Sequence, residues 1–305
     1  MRAVGILAAA ALSLVALPAR ADTAKVWSAA KAGLPADAKV VLAIDLAALQ
    51  KTEVFAQLWP KLLERFDAAK VMEEMKADCK LDPMVIVQGA VIAMADGQRE
   101  GAAYVAIAGA DKATLSACLQ REMEKHGDKA AKVTVKQDGN ITQVSNGSDS
   151  MFLGWIGKDI VVVPLTNNDK ATVVKWTSGK GALGKTSVGK TLAKVNTSAA
   201  LWGAGEGNDE LQPGVTVKGG YGSVAFAKGN VEANVHATAG SAAQAKTMAE
   251  STQKQLDGAR KNPLLPPSLG LVLQAVTIAA VSEEVVLKAN VVEKDLVSAL
   301  SLALG

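Results

Sequence analysis

Arginine and histidine are scarce in this chain, and each shortage closes a class of function. Beyond residue 21 the arginines are Arg65, Arg99, Arg121 and Arg260. Recognition of phosphates and base edges rests on Arg clusters and basic patches, so the sequence argues against nucleic acid and against an anionic membrane surface as partners. Only two histidines are present, His126 and His236. A zinc site wants further ligands close by, none are spaced for it, and no cofactor is expected. Past residue 21 no apolar run approaches the ~20 residues of a membrane span, so the mature chain is read as having no transmembrane segment.

What the sequence does have begins at its N-terminus. Arg2 is followed by an apolar run from Ala3 to Leu17 and then by Ala19-Arg20-Ala21, the pattern of a signal peptide with an A-x-A cleavage site. The run is short for an anchor and contains Pro18, so the expectation is cleavage after Ala21 and release to the periplasm or the exterior. Losing Arg2 and Arg20 takes the formal charge from +3 to +1. Export also places Cys79 and Cys118 where disulfides persist. Compartment and parity favour a bridge between them over two buried thiols. Closing a loop of that length stabilises a fold by about 4 kcal/mol through loop-closure entropy.

The 305 residues suffice for one large domain or two smaller ones. Val40–Ile44 reads as a buried strand, and Thr52–Phe66 as a helix whose wide apolar stripe includes Phe55, Trp59 and Phe66, with a kink at Pro60. Ala68–Lys76 is a second amphipathic piece. From Met84 two β-branched runs make a hairpin, and Ala108-Gly109-Ala110-Asp111 opens a helix with Leu115, Cys118, Leu119 and Met123 at helical spacing. A meander follows, KVTVKQ, ITQVS, SMFLGWI and DIVVVPL, cut by Asp138-Gly139, Asn146-Gly147 and Gly157-Lys158. Helices are predicted over Asn168–Trp176 and Val188–Val195.

The second half repeats this order. SAALWGAG leads to a hairpin about Gly229, a helix from Ser241 to about Leu256, a Pro-rich break, a hairpin about Ser282-Glu283 starting at LVLQAV, and a closing helix Glu293–Leu302. The fold class expected is α+β: antiparallel sheets with helices packed on one face, in two related strand-hairpin-helix-strand halves. The divisions are 1–21 as signal peptide, 22–195 as the N-terminal half and 196–305 as the C-terminal half.

Several motifs suggest chemistry. Gly179–Thr186 reads GKGALGKT, a literal phosphate-loop pattern, and GKTSVGKT overlaps it. That chemistry needs a strand running straight into the loop and a helix leaving it. Here the segment before is helical and the strand IVVVPL ends well upstream, so NTP binding ranks third among the readings. His126 precedes Gly127 at a helix end, where a cation suits the dipole. His236 shares one side of VEANVHATA with Glu232, Asn234 and Thr238, the solvated side of a sheet on this reading. No nucleophile-elbow motif accompanies it, and catalysis is not expected. Asn140, Asn146 and Asn196 begin glycosylation patterns, the first two in turns where they would be accessible.

LPADAKVVLAIDLAAL, the CKLDP run at Cys79, LSACL, DGNITQVSNGSDSMFLGWIGKDIVVV and TSAALWGAG together resemble uncharacterised secreted proteins of myxobacteria-like Gram-negative bacteria. The resemblance implies export and paired cysteines, and it carries no catalytic residue. The expected function is therefore non-catalytic binding or scaffolding in the periplasm or outside the cell. Its partner surface is the row Glu232, Asn234, His236 and Thr238. The alternative is a carrier holding a lipid or other apolar ligand between the sheet and the helices that bear Phe55, Trp59 and Phe66.

Overall fold

The computed structural model describes residues 23–304 except 35–36, 66–67, 96–99, 127–130, 148, 167, 180, 182 and 213. The segment expected to be a signal peptide, with the cleavage expected after Ala21, lies outside the described residues, as do Phe66, Arg99 and Gly127. The chain divides into two compact units. One holds the residues up to Gln50 together with Leu63–Thr186, and the other holds Lys51–Leu62 together with Ser187 onward.

In the first unit, helix α1 (Thr23–Gly33) precedes strand β1 (Ala38–Asp45). Asp45 then caps a single turn, α2 (Leu46–Leu49), its carboxylate accepting from the Ala48 amide at 2.9 Å. Helix α3 (Glu53–Arg65) belongs mostly to the second unit. Helix α4 (Ala68–Cys79) and the turn α5 (Pro83–Ile86) lead into the hairpin β2 (Val87–Ala95) and β3 (Gly101–Ile107). Helix α6 (Lys112–His126), the meander β4 (Val133–Asp138), β5 (Ile141–Asn146), β6 (Asp149–Ile156) and β7 (Ile160–Pro164), and helix α7 (Lys170–Thr177) complete it. The sheet order is β1-β2-β3-β7-β6-β5-β4, and its pairings are antiparallel.

Every residue of β3 is buried, so this strand is covered on both faces, and the cross-strand register identifies the covers. Val91, Tyr104, Val162 and Gly154 are successive partners and share one face. There Tyr104 donates to the Trp176 carbonyl at 2.8 Å and meets the Trp176 ring edge-on at 6.4 Å. A Cβ on Gly154 would come within 2.3 Å of Thr177 Cγ2 and 2.9 Å of Val173 Cγ1, so a missing side chain lets α7 lie close on the sheet. A Cβ on Gly33, at the end of α1, would meet the Trp176 carbonyl and the Tyr104 hydroxyl on this same face. On the opposite face Val105, Val161 and Leu153 point towards Leu115, Cys118 and Leu119 of α6 and Met75 of α4. Cys79 and Cys118 are joined as a disulfide with Cα atoms 4.8 Å apart, tying α4 to α6.

The second unit contains α8 (Ser187–Leu192), β8 (Leu201–Gln212), β9 (Val215–Ala227), β10 (Asn230–Ala239), α9 (Ala242–Arg260), α10 (Pro267–Gln274), β11 (Val276–Val281), β12 (Glu284–Val292) and α11 (Glu293–Leu304). Its sheet runs β11-β12-β10-β9-β8, again antiparallel. Ser241 caps α9 by accepting from the Gln244 amide. This helix buries Ala245, Met248 and Ala249 against Ala239, Val285, Val217, Ala237 and Ile278. Lys51–Leu62 joins this unit through helix ends. Thr52 Oγ1 accepts the Phe55 amide at 3.1 Å, while the buried carboxylate of Glu293 accepts the Val54 amide at 3.0 Å. Two otherwise orphaned amides at the start of α3 are thereby satisfied.

The α+β class with antiparallel pairing is the observed one. Each unit runs strand, hairpin, helix, strands, helix, and in each the last strand returns beside the third, β7 to β3 and β12 to β10. Helices cover both faces of the first unit's central strands, rather than one, because β2 and β3 are apolar on both sides. Two local expectations change, and one element was not expected. The residues around Trp27, ahead of the first expected strand, form helix α1, with Val26 and Ala30 buried. Met84 starts no strand: Asp82 caps α5 with Pro83 at its first position, where the missing amide costs nothing. By the same logic Pro267 starts α10, so Leu271–Gln274 is helical and the last hairpin begins at Val276.

Candidate functional site

The sequence singled out one face of β10, and the register shows what shares it. His236 is the cross-strand partner of Tyr221 on β9, and Thr238 is the partner of Glu284 on β12. The Tyr221 and His236 rings stack, 4.3 Å between centroids and 10° between planes. Tyr221 donates its hydroxyl to Glu284 Oε2 at 2.9 Å, and His236 Nδ1 lies 2.9 Å from that same oxygen. Lys194, just beyond α8, donates to Glu284 Oε1 at 2.7 Å and sits 5.5 Å from the Tyr221 ring centroid. Three side chains from three segments thus converge on the carboxylate of a fourth.

His236 is consequently no member of a solvated row. Its side chain retains 16% exposure and that of Glu284 19%, whereas Glu232 and Asn234 further along β10 are exposed. Burial alone would raise the Glu284 carboxyl, but the hydrogen bonds from Lys194, His236 and Tyr221 outweigh it and hold the group below its ordinary range. Burial, the hydrogen bond to Glu284 and that carboxylate's charge push the Tyr221 hydroxyl up to about 12.

A His–Glu pair is the orienting half of a nucleophile-activating triad. The hydroxyl that shares this carboxylate with the imidazole is that of Tyr221. It donates to the same carboxylate and stays protonated far above neutrality, so it serves as a donor and not as a nucleophile. The arrangement is chemically a latch: a carboxylate satisfied by three donors that holds the segment after α8 onto β9, β10 and β12. Among the described residues no group of three or more His, Cys, Asp and Glu side chains is placed to hold a metal ion.

The other sequence candidates fall elsewhere. GKGALGKT follows helix α7, not a strand. Lys180 and Ala182 lie outside the described residues, Leu183 is buried, and Thr186 donates its hydroxyl to the Leu183 carbonyl at 2.6 Å. Gly181 donates its amide to the Ala32 carbonyl at 2.9 Å, and a Cβ there would lie 2.2 Å from the Leu34 carbonyl. This glycine serves a backbone crossing. In the overlapping copy, Val188 is a fully buried position of α8. Phe55 and Trp59 stack at 5.1 Å on α3. His126 ends α6 beside Glu122 and Glu74, at 3.7 and 4.0 Å. Of the glycosylation patterns, Asn140 is exposed as expected, but Asn146 is 2% exposed and donates to the Met123 carbonyl at 3.0 Å. Its turn position does not make it accessible, because α6 packs over it.

Tyr221, Glu284 and Lys194 were not singled out from the sequence. The Tyr221 pairing had a signal. Lys228 and Gly229 both take positive φ, 52° and 76°, forming a two-residue hairpin turn. Counting outward from that turn aligns Tyr221 with His236. Glu284 and Lys194 had none, since the β10–β12 pairing spans two helices and a strand and Lys194 precedes the sheet it joins.

No protein-family profile matches the chain, and no curated protein is similar to it in sequence. Solved structures are similar in fold. Crystal form I of TP0453 superposes with a TM-score of 0.50 at 8% identity, covering 90% of this chain and 97% of that one. Crystal form III gives 0.51 at 10% identity, covering 89% and 97%. At such identities the likeness is one of fold alone.

Proposed function

We propose that this is an exported protein of a Gram-negative bacterium, related to the secreted proteins its segments resemble, that binds a partner protein without catalysis. The binding surface is the β10 face that presents Glu232 and Asn234 beside the Glu284 latch. The supporting observation is the state of that face. Its one imidazole is stacked and hydrogen-bonded into a closed set of side chains, while the two polar residues next along the strand are exposed. Immobilised side chains beside exposed ones suit recognition, because less conformational entropy is lost on binding.

Carriage of a lipid or other apolar ligand would require an enclosed apolar space of several hundred Å3. The apolar cavity between α4–α6 and the sheet of the first unit measures about 70 Å3. A space of that size does not admit an acyl chain, and neither Phe55 nor Trp59 of α3 lines it.

The test is native mass spectrometry of the mature protein isolated gently from its own compartment, followed by the denatured spectrum. Binding predicts a protein-sized mass that accompanies the wild type and is lost from a Glu232→Lys/Asn234→Lys variant. A bound mass of lipid size that disappears on denaturation would replace this reading with the carrier. A partner retained equally by the variant would remove the assigned face.

A further inference from the structure

Strand β11 (VTIAAV) ends its sheet, pairing with β12 alone among the described strands. Sheet edges invite further strands, and proteins guard them with charge, proline or cover. In the first unit the end strand β4 carries Lys136 and Asp138. β11 has no such guard: it is six uncharged residues, without proline or glycine, and Ala279, Ala280 and Val281 are exposed.

The hairpin geometry fixes which amides are open. Val281 and Glu284 flank the two-residue turn Ser282-Glu283, and in such a hairpin the closing pair is hydrogen-bonded, with alternation thereafter. Val281, Ala279 and Thr277 therefore bond to β12, and Val276, Ile278 and Ala280 turn their backbone groups outward. The Val276 carbonyl accepts from Arg260 at 2.7 Å, in agreement. Ile278 and Ala280 remain to receive a strand. Beside them an open groove of about 1010 Å3 runs between β11 and α9, lined on the helix side by Lys246, Glu250, Gln253, Lys254, Asp257 and Lys261.

We propose that a second copy of this chain occupies that edge, forming a two-fold dimer in which β11 pairs antiparallel with β11 about Ala279. Ile278 of each copy then exchanges backbone hydrogen bonds with Ala280 of the other. The symmetry also sets α9 against α9. Arg260 reaches Val276, and the helix starts just after Ala239, whose amide donates to the Glu283 carbonyl in the β11–β12 turn, so the midpoint of the helix, near residue 251, overlies Ala279. A two-fold there places Lys246 opposite Asp257 twice, and Glu250 opposite Gln253; among the described residues of its own chain Asp257 accepts from Gln253 and Arg260 at Oδ1 only, 2.8 and 3.1 Å, which leaves Oδ2 to face Lys246. The stripe is complementary to itself in the one register that the open amides select. Lys246 and Glu250 are 74% and 68% exposed and 3.8 Å apart on the same helix, so they are free to turn to new partners. The stripe from Lys246 to Lys261 is about 23 Å long at 1.5 Å per residue. Together with a six-residue strand it offers an interface of the small standard class, on the order of 1,200 Å2 in total.

The test is sedimentation equilibrium of the mature chain from about 1 to 100 μM, a range that brackets the affinity of a small interface. Wild type is expected to dimerise. Ala280→Pro removes an outward amide that the monomer does not use, a position where an edge strand accepts proline, and it should sediment as a monomer with unchanged circular dichroism. Lys246→Glu, on an exposed helix surface, should weaken the dimer about tenfold through its two symmetric pairs, and Lys246→Glu/Asp257→Lys should restore it. A wild-type monomer throughout the range would overturn the proposal, as would an Ala280→Pro dimer. A charge reversal that the double variant fails to rescue would also overturn it. None of these outcomes bears on the β10 face, which lies across the sheet from α9.

Discussion

Replacing Glu284 by Gln tests the latch at its centre. The carboxylate receives Lys194, His236 and Tyr221, each at 2.7–2.9 Å. Hydrogen bonds to a charged group contribute about 1.5–3 kcal/mol each when buried. The amide keeps one acceptor oxygen and the site is partly exposed, so the expected loss of folding stability is about 1–2 kcal/mol. The sharper readout is tyrosine ionisation, because the chain has only two tyrosines. Burial holds Tyr104 well above the ordinary phenol range, and Tyr221 is pushed up to about 12 by burial and by Glu284. Absorbance at a phenolate wavelength should therefore show almost no ionisation of the folded wild type at pH 10–11. In Glu284→Gln one tyrosine should titrate lower, towards the free value of about 10. The contributions to stability have opposite signs at the two ends of the pH scale. Tyr221 has a raised value, so its contribution is complete below pH about 10 and is lost as pH climbs towards about 12. Glu284 has a lowered one, so its contribution is complete above the free carboxyl value and is lost as pH falls through the folded value; the Gln variant should lack that acid-side loss. A wild-type tyrosine that ionises near pH 10 while circular dichroism remains native would refute the latch.

Three further outcomes follow from the packing. Converting Cys79 and Cys118 together to Ser should cost about 4 kcal/mol for a loop spanning 39 residues, read from urea unfolding, and thiol labelling of the unreduced wild type should find no free cysteine. Gly154→Ala should destabilise by about 1–3 kcal/mol through overpacking against α7. Adding Thr177→Ser, which removes the methyl group 2.3 Å from the new Cβ, should recover part of that loss in thermal melts. Gly181→Ala should destabilise through its backbone clash at 2.2 Å, whereas Gly184→Ala, with open space around it, should leave the melting temperature unchanged; the reverse order would reopen the phosphate-loop reading of this stretch.

Much of the chain's local structure was legible because it rests on short-range physics. The meander β4–β7 follows from alternating apolar runs cut by Gly139, Gly147 and Gly157, all at positive φ. α9 follows from Ser241 as cap and from Ala245, Met248 and Ala249 at helical spacing. The Cys79–Cys118 bridge followed from parity and compartment. The helix starts at Pro83 and Pro267 were also written locally, in proline's preference for a first turn, although hydrophobic pattern alone read those residues as strand.

The candidate site was legible only in part, since it depends on pairings between segments far apart in the chain. Period-2 alternation put Glu232, Asn234, His236 and Thr238 on one face, yet exposure along a strand is decided by its neighbours. Tyr221 arrives across one hairpin, Glu284 across α9 and α10, and Lys194 from beyond the start of β8. Asn146 makes the same point in the first unit: its turn sequence predicts access, and α6 removes it. The elements, their caps and turns, and the alternation of each strand depend on residues a few positions apart, and local preference suffices to specify them. Which face is covered, which carboxylate is shared and which sheet edge is left open depend on burial and strand pairing between residues tens of positions apart, which no local preference encodes.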